Sequence, residues 1–375
     1  MSSGGSCPTC GLTYAYDLAV CTSCGSMLEP LRVSRRVALA VTEVATPSIG
    51  HGDVPYWCVL AEAEDGHRCV AKSSRAVSVG DTLTEDAAAP AGCIQTVGIV
   101  GSGVMARGLV ELMLSRGHRV VWVGRSLERL DASREKVVER LAKAMDENQT
   151  GEALGRLVMS GSTTALAECD IVIEAIVEEL EPKQDIIRRI EEVVGEECII
   201  ATNTSSLPLD AMSLGMRRPQ RFGGLHFFNP PMRMRLVEVV RGPQTDDAVE
   251  SMLVQFAESL GKTPIPVAAG PGFVVNRVLM PLLNEAVRAL EDGIAPAEAI
   301  DEAVMLGLNH PMGPLALADL IGLDVVTNIM DDLHSRLGDE AYAPRPLLKQ
   351  LVQEGKLGRK TGEGLFTHTR PPVSG

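Results

Sequence analysis

A short apolar run that ends in glycines constrains the fold of this 375-residue chain more than any other feature. The run QTVGIV at 95–100 predicts a buried strand, and an amphipathic stretch follows its glycines. In such a strand–turn–helix unit, Gly101 permits a tight turn, Gly103 lets backbone approach a pyrophosphate, and the small Ala106 permits close packing of helix on strand. A second strand predicted at 118–123 favours a dinucleotide site at the helix N-terminus over a glycine turn that binds nothing.

The end of that second strand bears on which dinucleotide binds. An NAD site commonly has Asp or Glu there to accept a hydrogen bond from the ribose 2′-hydroxyl, but this chain has Gly124, Arg125 and Ser126. Arg125 and Ser126 are suited to a 2′-phosphate, which a carboxylate would repel. The sequence therefore favours NADP, although a solvated Arg125 beside an NAD site stays an open alternative.

Alternating strands and helices continue beyond this point. The predicted elements are helices at 128–145 and 182–194 and strands at 170–174 and 198–201. Repeated βα units indicate an α/β fold with a doubly wound, mostly parallel sheet, here a Rossmann domain assigned to residues 93–270. Residues 271–375 are predicted to form an all-α domain, with helices at 273–292, 296–306 and 314–337.

The first residues of the chain carry paired cysteines. Cys7 and Cys10 form one Cys-x-x-Cys knuckle, and Cys21 and Cys24 form a second. Four thiolates at this spacing are typical of tetrahedral Zn²⁺, and a site without His or an open position is structural. We therefore predict a zinc ribbon at residues 1–30, in preference to four unrelated thiols or a redox pair.

Residues 31–92 are predicted to be a small OB-fold-like β-barrel followed by a linker. Strand patterns occur at 36–44, 54–63, 68–71 and 75–79, and the Ala/Pro/acidic stretch at 81–92 shows no periodicity. Residues 1–92 contain six Lys and Arg against ten Asp and Glu, so nucleic acid is not expected to bind there.

Composition excludes several other classes of protein. The net charge of −14 disfavours nucleic acid as a partner, and no apolar run is long enough to cross a membrane. Nine cysteines, an odd number, in a chain whose start lacks the pattern of a signal peptide argue against a disulfide framework. We therefore expect a cytoplasmic protein.

From about residue 94 to 368, several motifs together resemble the L-3-hydroxyacyl-CoA dehydrogenase family, close to its bacterial 3-hydroxybutyryl-CoA members. They occur in the family's order and near its spacing. The motifs are ATNTSSL at 201–207, GLHFFNP at 224–230, LVEVV at 236–240, PGFVVNR at 271–277, HPMGPLALAD at 310–319 and GRKTGEG at 358–364.

The resemblance implies four catalytic residues that also make chemical sense. An imidazole such as His226 can take the proton of a secondary alcohol while hydride leaves carbon, and a carboxylate such as Glu238 can orient it from a returning strand. Ser205 and Asn276 match the residues that hold the substrate oxygen. Without the resemblance, His226 would be read as a core residue, Ser205 as a helix cap and Asn276 as a helix-surface amide.

The resemblance also implies cofactor contacts and an assembly. The implied contacts are Glu178, Lys183, Asn229 and Lys360, of which the first two would otherwise be read as a solvated loop and helix face. The helical region is implied to form a homodimer. The segment at 141–162, which in the family helps to hold CoA, is shortened and rich in glycine and acidic residues.

These features together predict reversible oxidation of an (S)-3-hydroxyacyl-CoA to the 3-oxoacyl-CoA with NADP or NAD. One alternative keeps this chemistry but places the acyl group on an acyl carrier protein that the N-terminal module recruits; that module could equally contact an acyl-CoA enzyme. Another is a non-catalytic nucleotide-binding scaffold. The scaffold would have no need of the intact set Ser205, His226, Glu238 and Asn276.

Overall fold

In the computed structural model the described residues are 94–368 and, before them, the backbone of seven strands. The chain divides into two compact units, residues 1–93 and 94–375. None of the described helices is long and apolar enough to span a bilayer.

The strands before residue 94 form two antiparallel sheets. They are β1 (Gly5–Ser6), β2 (Thr13–Tyr14), β3 (Glu29–Pro30), β4 (Arg35–Val44), β5 (Tyr56–Ala63), β6 (Arg68–Ser73) and β7 (Thr82–Thr84). The strand orders are β2-β1-β3 and β6-β5-β4-β7. The linker prediction is wrong at its start, because β7 pairs with the first residues of β4. The strand predicted at 75–79 and all four cysteines of the zinc prediction lie outside the described residues, and the ribbon and the barrel stay predictions.

The second unit is built on one eight-stranded sheet. Its strands are β8 (Thr96–Val100), β9 (Arg119–Val123), β10 (Leu157–Ser160), β11 (Ile171–Glu174), β12 (Ile199–Thr202), β13 (Phe222–Phe227), β14 (Leu236–Arg241) and β15 (Thr263–Ala268). The order is β10-β9-β8-β11-β12-β13-β14-β15, and every neighbouring pair is parallel except β13 and β14. The chain first builds outward from β8 through β9 and β10, then crosses to β11 on the other side. The predicted doubly wound sheet is confirmed, and its switch point lies between β8 and β11.

Helices cover both faces of this sheet. They are α1 (Val104–Ser115), α2 (Leu127–Ala144), α3 (Glu147–Gly155), α4 (Leu180–Glu191), α5 (Leu209–Met212) and α6 (Asp247–Ser259). Strand residues alternate between the two cores: Ile99 packs in the cluster that includes α1 and α6, whereas Val100 packs in the cluster that includes α4. Because both faces are buried at the centre of the sheet, central strands such as β8 and β11 are nearly continuous apolar runs, whereas the edge strands β10 and β15 are more exposed. The segment at 141–162 contains α3 and β10.

Residues beyond the sheet are helical, as predicted. The helices are α7 (Val275–Glu291), α8 (Ala297–Leu308), α9 (Pro314–Ile321), α10 (Leu323–Leu337) and α11 (Pro346–Gln353). They share one core that includes Leu283, Leu315 and Met330. The prediction of a single helix at 314–337 is wrong. The helix is interrupted at Gly322, whose φ is 105°, so that α9 and α10 are separate helices.

Candidate active site

The glycine turn after β8 lies at the switch point with the geometry that the sequence predicts. Gly101 has φ 130°, and its N–H donates to the Val123 carbonyl at 2.9 Å. A Cβ at Gly101 would lie 2.4 Å from the Ala175 carbonyl oxygen, so only glycine fits. A Cβ at Gly103 would meet nothing within 4 Å, and Ala106 is fully buried beneath the turn.

The N-terminus of α1 fits an anion. No side chain caps this helix, and its first turn has no acidic residue. Its first N–H groups therefore face the crevice without a protein carboxylate in competition, and the helix dipole favours negative charge there. The pyrophosphate of a dinucleotide matches this environment.

The residues after β9 lie at the same edge of the sheet. Gly124 is buried, and a Cβ on it would lie 2.8 Å from Leu130 Cδ2. Arg125 is exposed, and Ser126 caps α2 by accepting a hydrogen bond from the Arg129 N–H at 3.3 Å. The packing of Leu130 accounts for glycine where NAD sites commonly have a carboxylate.

His226 and Glu238 are brought together by the only antiparallel pairing in the eight-stranded sheet. They are directly opposite each other on β13 and β14, so their side chains lie on the same face. His226 Nδ1 lies 2.6 Å from Glu238 Oε2, and both side chains are buried. The predicted returning strand is confirmed.

The helical region completes the surroundings of this pair. Glu238 Oε1 accepts hydrogen bonds from the Val274 and Val275 N–H groups, both at 3.0 Å, at the start of α7. Burial raises the pKa of Glu238, but the hydrogen bonds from His226 and these N–H groups outweigh it and lower the pKa below the ordinary value. Glu238 is therefore an anion at neutral pH, as a partner for an imidazolium should be.

Ser205 lies on the loop after β12. Side chains from two different parts of the chain form hydrogen bonds with the backbone of this loop. On one side Glu178 Oε1 accepts from the Ser205 N–H at 2.8 Å and lies 3.2 Å from its hydroxyl. On the other, Asn276 Nδ2 donates to the Ser205 carbonyl at 3.4 Å and Arg336 of α10 donates to the Ser206 carbonyl. Asn276 is buried on α7, so its interpretation as a helix-surface amide is wrong.

Lys183 is buried as well, contrary to its interpretation as a residue of a solvated helix face. Its Nζ lies 2.7 and 2.9 Å from the two oxygens of Glu174, and 3.3 Å from Glu178 Oε2. Burial raises the pKa of Glu178, but Lys183 and the hydrogen bonds from Thr204 and Ser205 lower it overall. A buried ammonium between two carboxylates needs such close partners, because an unpaired one would be strongly destabilising.

The two remaining predicted cofactor residues are less closely connected to this group. Asn229 is exposed in the loop after β13, with a cis peptide bond to Pro230. Lys360 is exposed and pairs with Asp324 of α10. Within 94–368, Lys360 has no hydrogen bond or ion pair with any other predicted cofactor residue.

Sequence reasoning missed several residues that organise the site. Asn203 accepts the Phe227 N–H at 3.0 Å and so ties the Ser205 loop to the end of β13. Asp319 accepts from the Leu365 and Phe366 N–H groups, both at 2.9 Å, and thereby orders the loop that carries Lys360. Asn203 and Asp319 lie within quoted motifs, which was the available signal, whereas Glu174 and Arg336 lie outside them.

The described cysteines are not part of this site. Cys169 and Cys198 are buried and free, and burial raises the pKa of each thiol to about 12. They fill the core, as predicted. No group of three or more potential metal ligands occurs among the described residues.

Comparison with known proteins agrees with this architecture. Residues 96–270 match the family profile "3-hydroxyacyl-CoA dehydrogenase, NAD binding domain", and residues 272–368 match "3-hydroxyacyl-CoA dehydrogenase, C-terminal domain". A probable 3-hydroxybutyryl-CoA dehydrogenase of Deinococcus radiodurans is 44% identical over 275 residues, which are 72% of this chain and 99% of that protein.

A human relative and a solved structure extend the match. The human mitochondrial hydroxyacyl-coenzyme A dehydrogenase is 37% identical over 303 residues, 78% of this chain and 96% of its own. The crystal structure of (S)-3-hydroxybutyryl-CoA dehydrogenase from Ralstonia eutropha superposes with a TM-score of 0.71 at 42% identity and covers 74% of this chain and 100% of that one. On these matches and the site geometry, the chain belongs to the 3-hydroxyacyl-CoA dehydrogenase family.

Proposed function

We propose that this enzyme interconverts (S)-3-hydroxybutyryl-CoA and acetoacetyl-CoA, with His226 as the general base in oxidation and the general acid in reduction. The single observation that carries the proposal is the buried His226–Glu238 pair at 2.6 Å, on neighbouring strands of the sheet of the NAD-binding domain. The enzyme is an NAD(P)-dependent oxidoreductase of 3-hydroxyacyl-CoA; its acyl chain length and residue roles are the proposed part.

The geometry assigns a task to each residue. Because Nδ1 of His226 lies against Glu238, Nε2 is the ring nitrogen left to take the substrate hydroxyl proton, while hydride passes from carbon to the nicotinamide. Glu238 stabilises the imidazolium that results. In this structure the Ser205 hydroxyl donates to Glu178, and Asn276 uses one of its two amide N–H groups on the Ser205 carbonyl. The second N–H of Asn276, and the Ser205 hydroxyl once it rotates away from Glu178, can donate to the substrate oxygen. Glu178 and Arg336 hold the loop that carries Ser205.

Reduction of acetoacetyl-CoA, followed by loss of cofactor absorbance, tests this proposal. We expect His226→Gln to lower kcat by about 10²- to 10⁴-fold, while the cofactor still binds. His334→Gln is the matched control, because this half-buried histidine lies on α10 beside Glu340 and outside the site. Full activity of His226→Gln would contradict the proposed role.

NADP is the favoured cofactor, and NAD stays the alternative. The buried Gly124 offers no carboxylate to repel a 2′-phosphate, and the exposed Arg125 beside it offers positive charge. We expect Arg125→Gln to raise KM for NADPH and to leave KM for NADH unchanged. Arg134→Gln, on α2, is the control; equal effects on both cofactors would contradict a contact of Arg125 with the 2′-phosphate.

The N-terminal module is proposed to hold one structural Zn²⁺ through Cys7, Cys10, Cys21 and Cys24. The module is a candidate docking element for an acyl-CoA enzyme or a carrier protein, and the reduced thiols that the proposed zinc site requires would fit a cytoplasmic location. Metal analysis of the full chain should find one zinc per chain, and Cys7→Ser should lower it. Comparison of kcat/KM for acetoacetyl groups on a carrier protein and on CoA tests whether the module recruits a carrier protein.

A further inference from the structure

One fully buried carboxylate near the site has no part in the proposed mechanism. Glu174 is the last residue of β11, where its register neighbours are Val100 on β8 and Thr202 on β12. It therefore lies at the switch point, beside the residue that precedes the glycine turn. Its side chain has no solvent exposure, although a carboxylate is costly to bury and needs close partners there.

Every close partner of Glu174 is a donor. Oε1 accepts from the Ile176 N–H at 2.6 Å and from Lys183 at 2.7 Å. Oε2 accepts from the Thr202 hydroxyl at 2.8 Å and from Lys183 at 2.9 Å. Four hydrogen bonds from three donor groups satisfy both oxygens of an ionised carboxylate, and the two from Lys183 hold its ammonium in one place.

Lys183 connects this carboxylate to the substrate side of the site. Only 1% of its side chain is exposed, and its Nζ lies 3.3 Å from Glu178 Oε2. The other oxygen of Glu178 accepts from the Thr204 hydroxyl at 2.5 Å and the Ser205 N–H at 2.8 Å. A continuous series of charged contacts thus runs from the end of β11 to the loop that carries Ser205.

The series also has an unbalanced charge. Glu174 and Glu178 are two carboxylates against the one ammonium of Lys183, so the group is net negative at the carboxyl end of β11, beside the glycine turn. The nicotinamide ring is cationic when oxidised and neutral when reduced. A fixed negative charge at this end of the sheet therefore favours the oxidised cofactor over the reduced one, and the burial of Glu174 and Lys183 limits screening by solvent.

We propose that Glu174 is a positioning residue that acts through Lys183 and Glu178, holding Ser205 for the substrate and biasing the site toward the oxidised cofactor. The inference rests on the proposed function, which supplies the role of Ser205 and the hydride acceptor. It assigns to Glu174 two separable effects, one of position and one of charge.

Three variants of the full chain separate these effects. Glu174→Gln removes the charge at nearly constant shape, and Glu174→Asp keeps the charge but shortens the reach to Lys183. Glu191→Gln is the matched control, because Glu191 is also buried, accepts the Arg217 and Arg218 N–H groups at 2.8 Å, and lies at the far end of α4.

The readouts are kcat with acetoacetyl-CoA and the dissociation constants of oxidised and reduced cofactor, measured by calorimetric titration without substrate. For Glu174→Gln we expect the oxidised form to bind on the order of fivefold more weakly relative to the reduced form, together with a lower kcat. For Glu174→Asp we expect a lower kcat, with an unchanged ratio of the dissociation constants of oxidised and reduced cofactor. Glu191→Gln should change neither quantity, whatever it does to stability.

Two outcomes would overturn the inference. One is a Glu174→Gln variant that loses stability but keeps the wild-type cofactor ratio and kcat, since that is a purely structural role. If Glu174→Gln does not fold, an unchanged kcat in Glu174→Asp would overturn the positioning role instead. An inactive wild-type chain would contradict the proposed function alone, because the cofactor ratio is measured without substrate.

Discussion

At the scale of single residues, the proposed acid–base pair depends on strand register. His226 and Glu238 are opposite each other because β14 runs antiparallel to β13, which reverses the direction of the sheet at that position alone. A slip of one residue would turn one of the two side chains to the other face. The hydrogen bonds from Val274 and Val275 then fix the carboxylate that orients the imidazole.

Because the pKa of Glu238 is lowered in the folded protein, the free energy of unfolding should depend on pH in the acid range. The unfolded carboxyl titrates near its ordinary pKa of about 4.3, and the folded pKa is lower. The stabilisation is therefore fully present above the unfolded pKa and is lost as pH falls through the folded one. We expect urea midpoints to fall between about pH 5 and pH 3, and Glu238→Gln to lose part of this dependence. An acid dependence identical to wild type would contradict the prediction.

The residues of the site differ in how far sequence could predict them. His226 and Glu238 belong to recognisable motifs, and the turn between them indicated that one strand returns beside the other. Lys183 was not predicted to be buried, because the stretch from 178 to 185 is polar and resembles a solvated surface, and Glu174 was assigned only to a strand. Whether such charges are buried depends on tertiary partners from β12 and the following loop, which local pattern does not contain.

At the scale of elements, the interruption between α9 and α10 likewise shows that local sequence pattern does not fix where a helix ends. Apolar residues run through 314–337 with helical spacing, so the pattern favoured one helix. Gly322 instead takes a positive φ of 105°, and a Cβ there would lie 3.1 Å from both Asp324 Oδ1 and Lys360 Nζ. The interruption between α9 and α10 thus lies where the loop of Lys360 packs closely against Gly322.

This crowding predicts a difference between two glycine substitutions. Gly338 also has a positive φ, 66°, but a Cβ there would meet nothing within 4 Å. We expect Gly338→Ala to lower the free energy of unfolding by about 1 kcal/mol through its backbone alone, and Gly322→Ala to lower it by about 2–3 kcal/mol. Chemical denaturation measures both, and equal losses would show that the contacts around Gly322 add no strain.

At the scale of the whole molecule, the helical region leaves large apolar side chains exposed. Leu306 is 78% exposed, Ile294 74% and Val278 68%, although each lies on or beside a helix with a packed core behind it. Scattered apolar residues need no explanation. We take the exposed apolar residues of α7, α8 and their connection as the candidate contact surface, which the next experiment tests. This arrangement supports the homodimer that the family resemblance implies.

A charge placed in that surface should therefore change the oligomeric state. We expect Leu306→Glu to shift the protein from dimer to monomer in size-exclusion chromatography with light scattering, since an interface tolerates a buried unpaired charge poorly. Leu214→Glu is the control, because Leu214 is 65% exposed but follows α5 on the sheet-containing part of the chain. A dimer that survives Leu306→Glu would place the interface elsewhere.

Because the chain divides into two compact units, we predict that the unit after residue 93 is sufficient for catalysis. The two family models together match residues 96–368, and the Deinococcus relative matches 99% of its own length with 72% of this chain, so the family's two domains lie in the unit after residue 93. All proposed catalytic and cofactor residues lie there, as does their packed core. We expect residues 94–375 alone to reduce acetoacetyl-CoA with unchanged kcat/KM and to contain no zinc. A large loss of kcat/KM on free CoA thioester would mean that the cysteine-bearing module takes part in catalysis, whereas a loss confined to carrier-bound thioester would assign it to partner recognition.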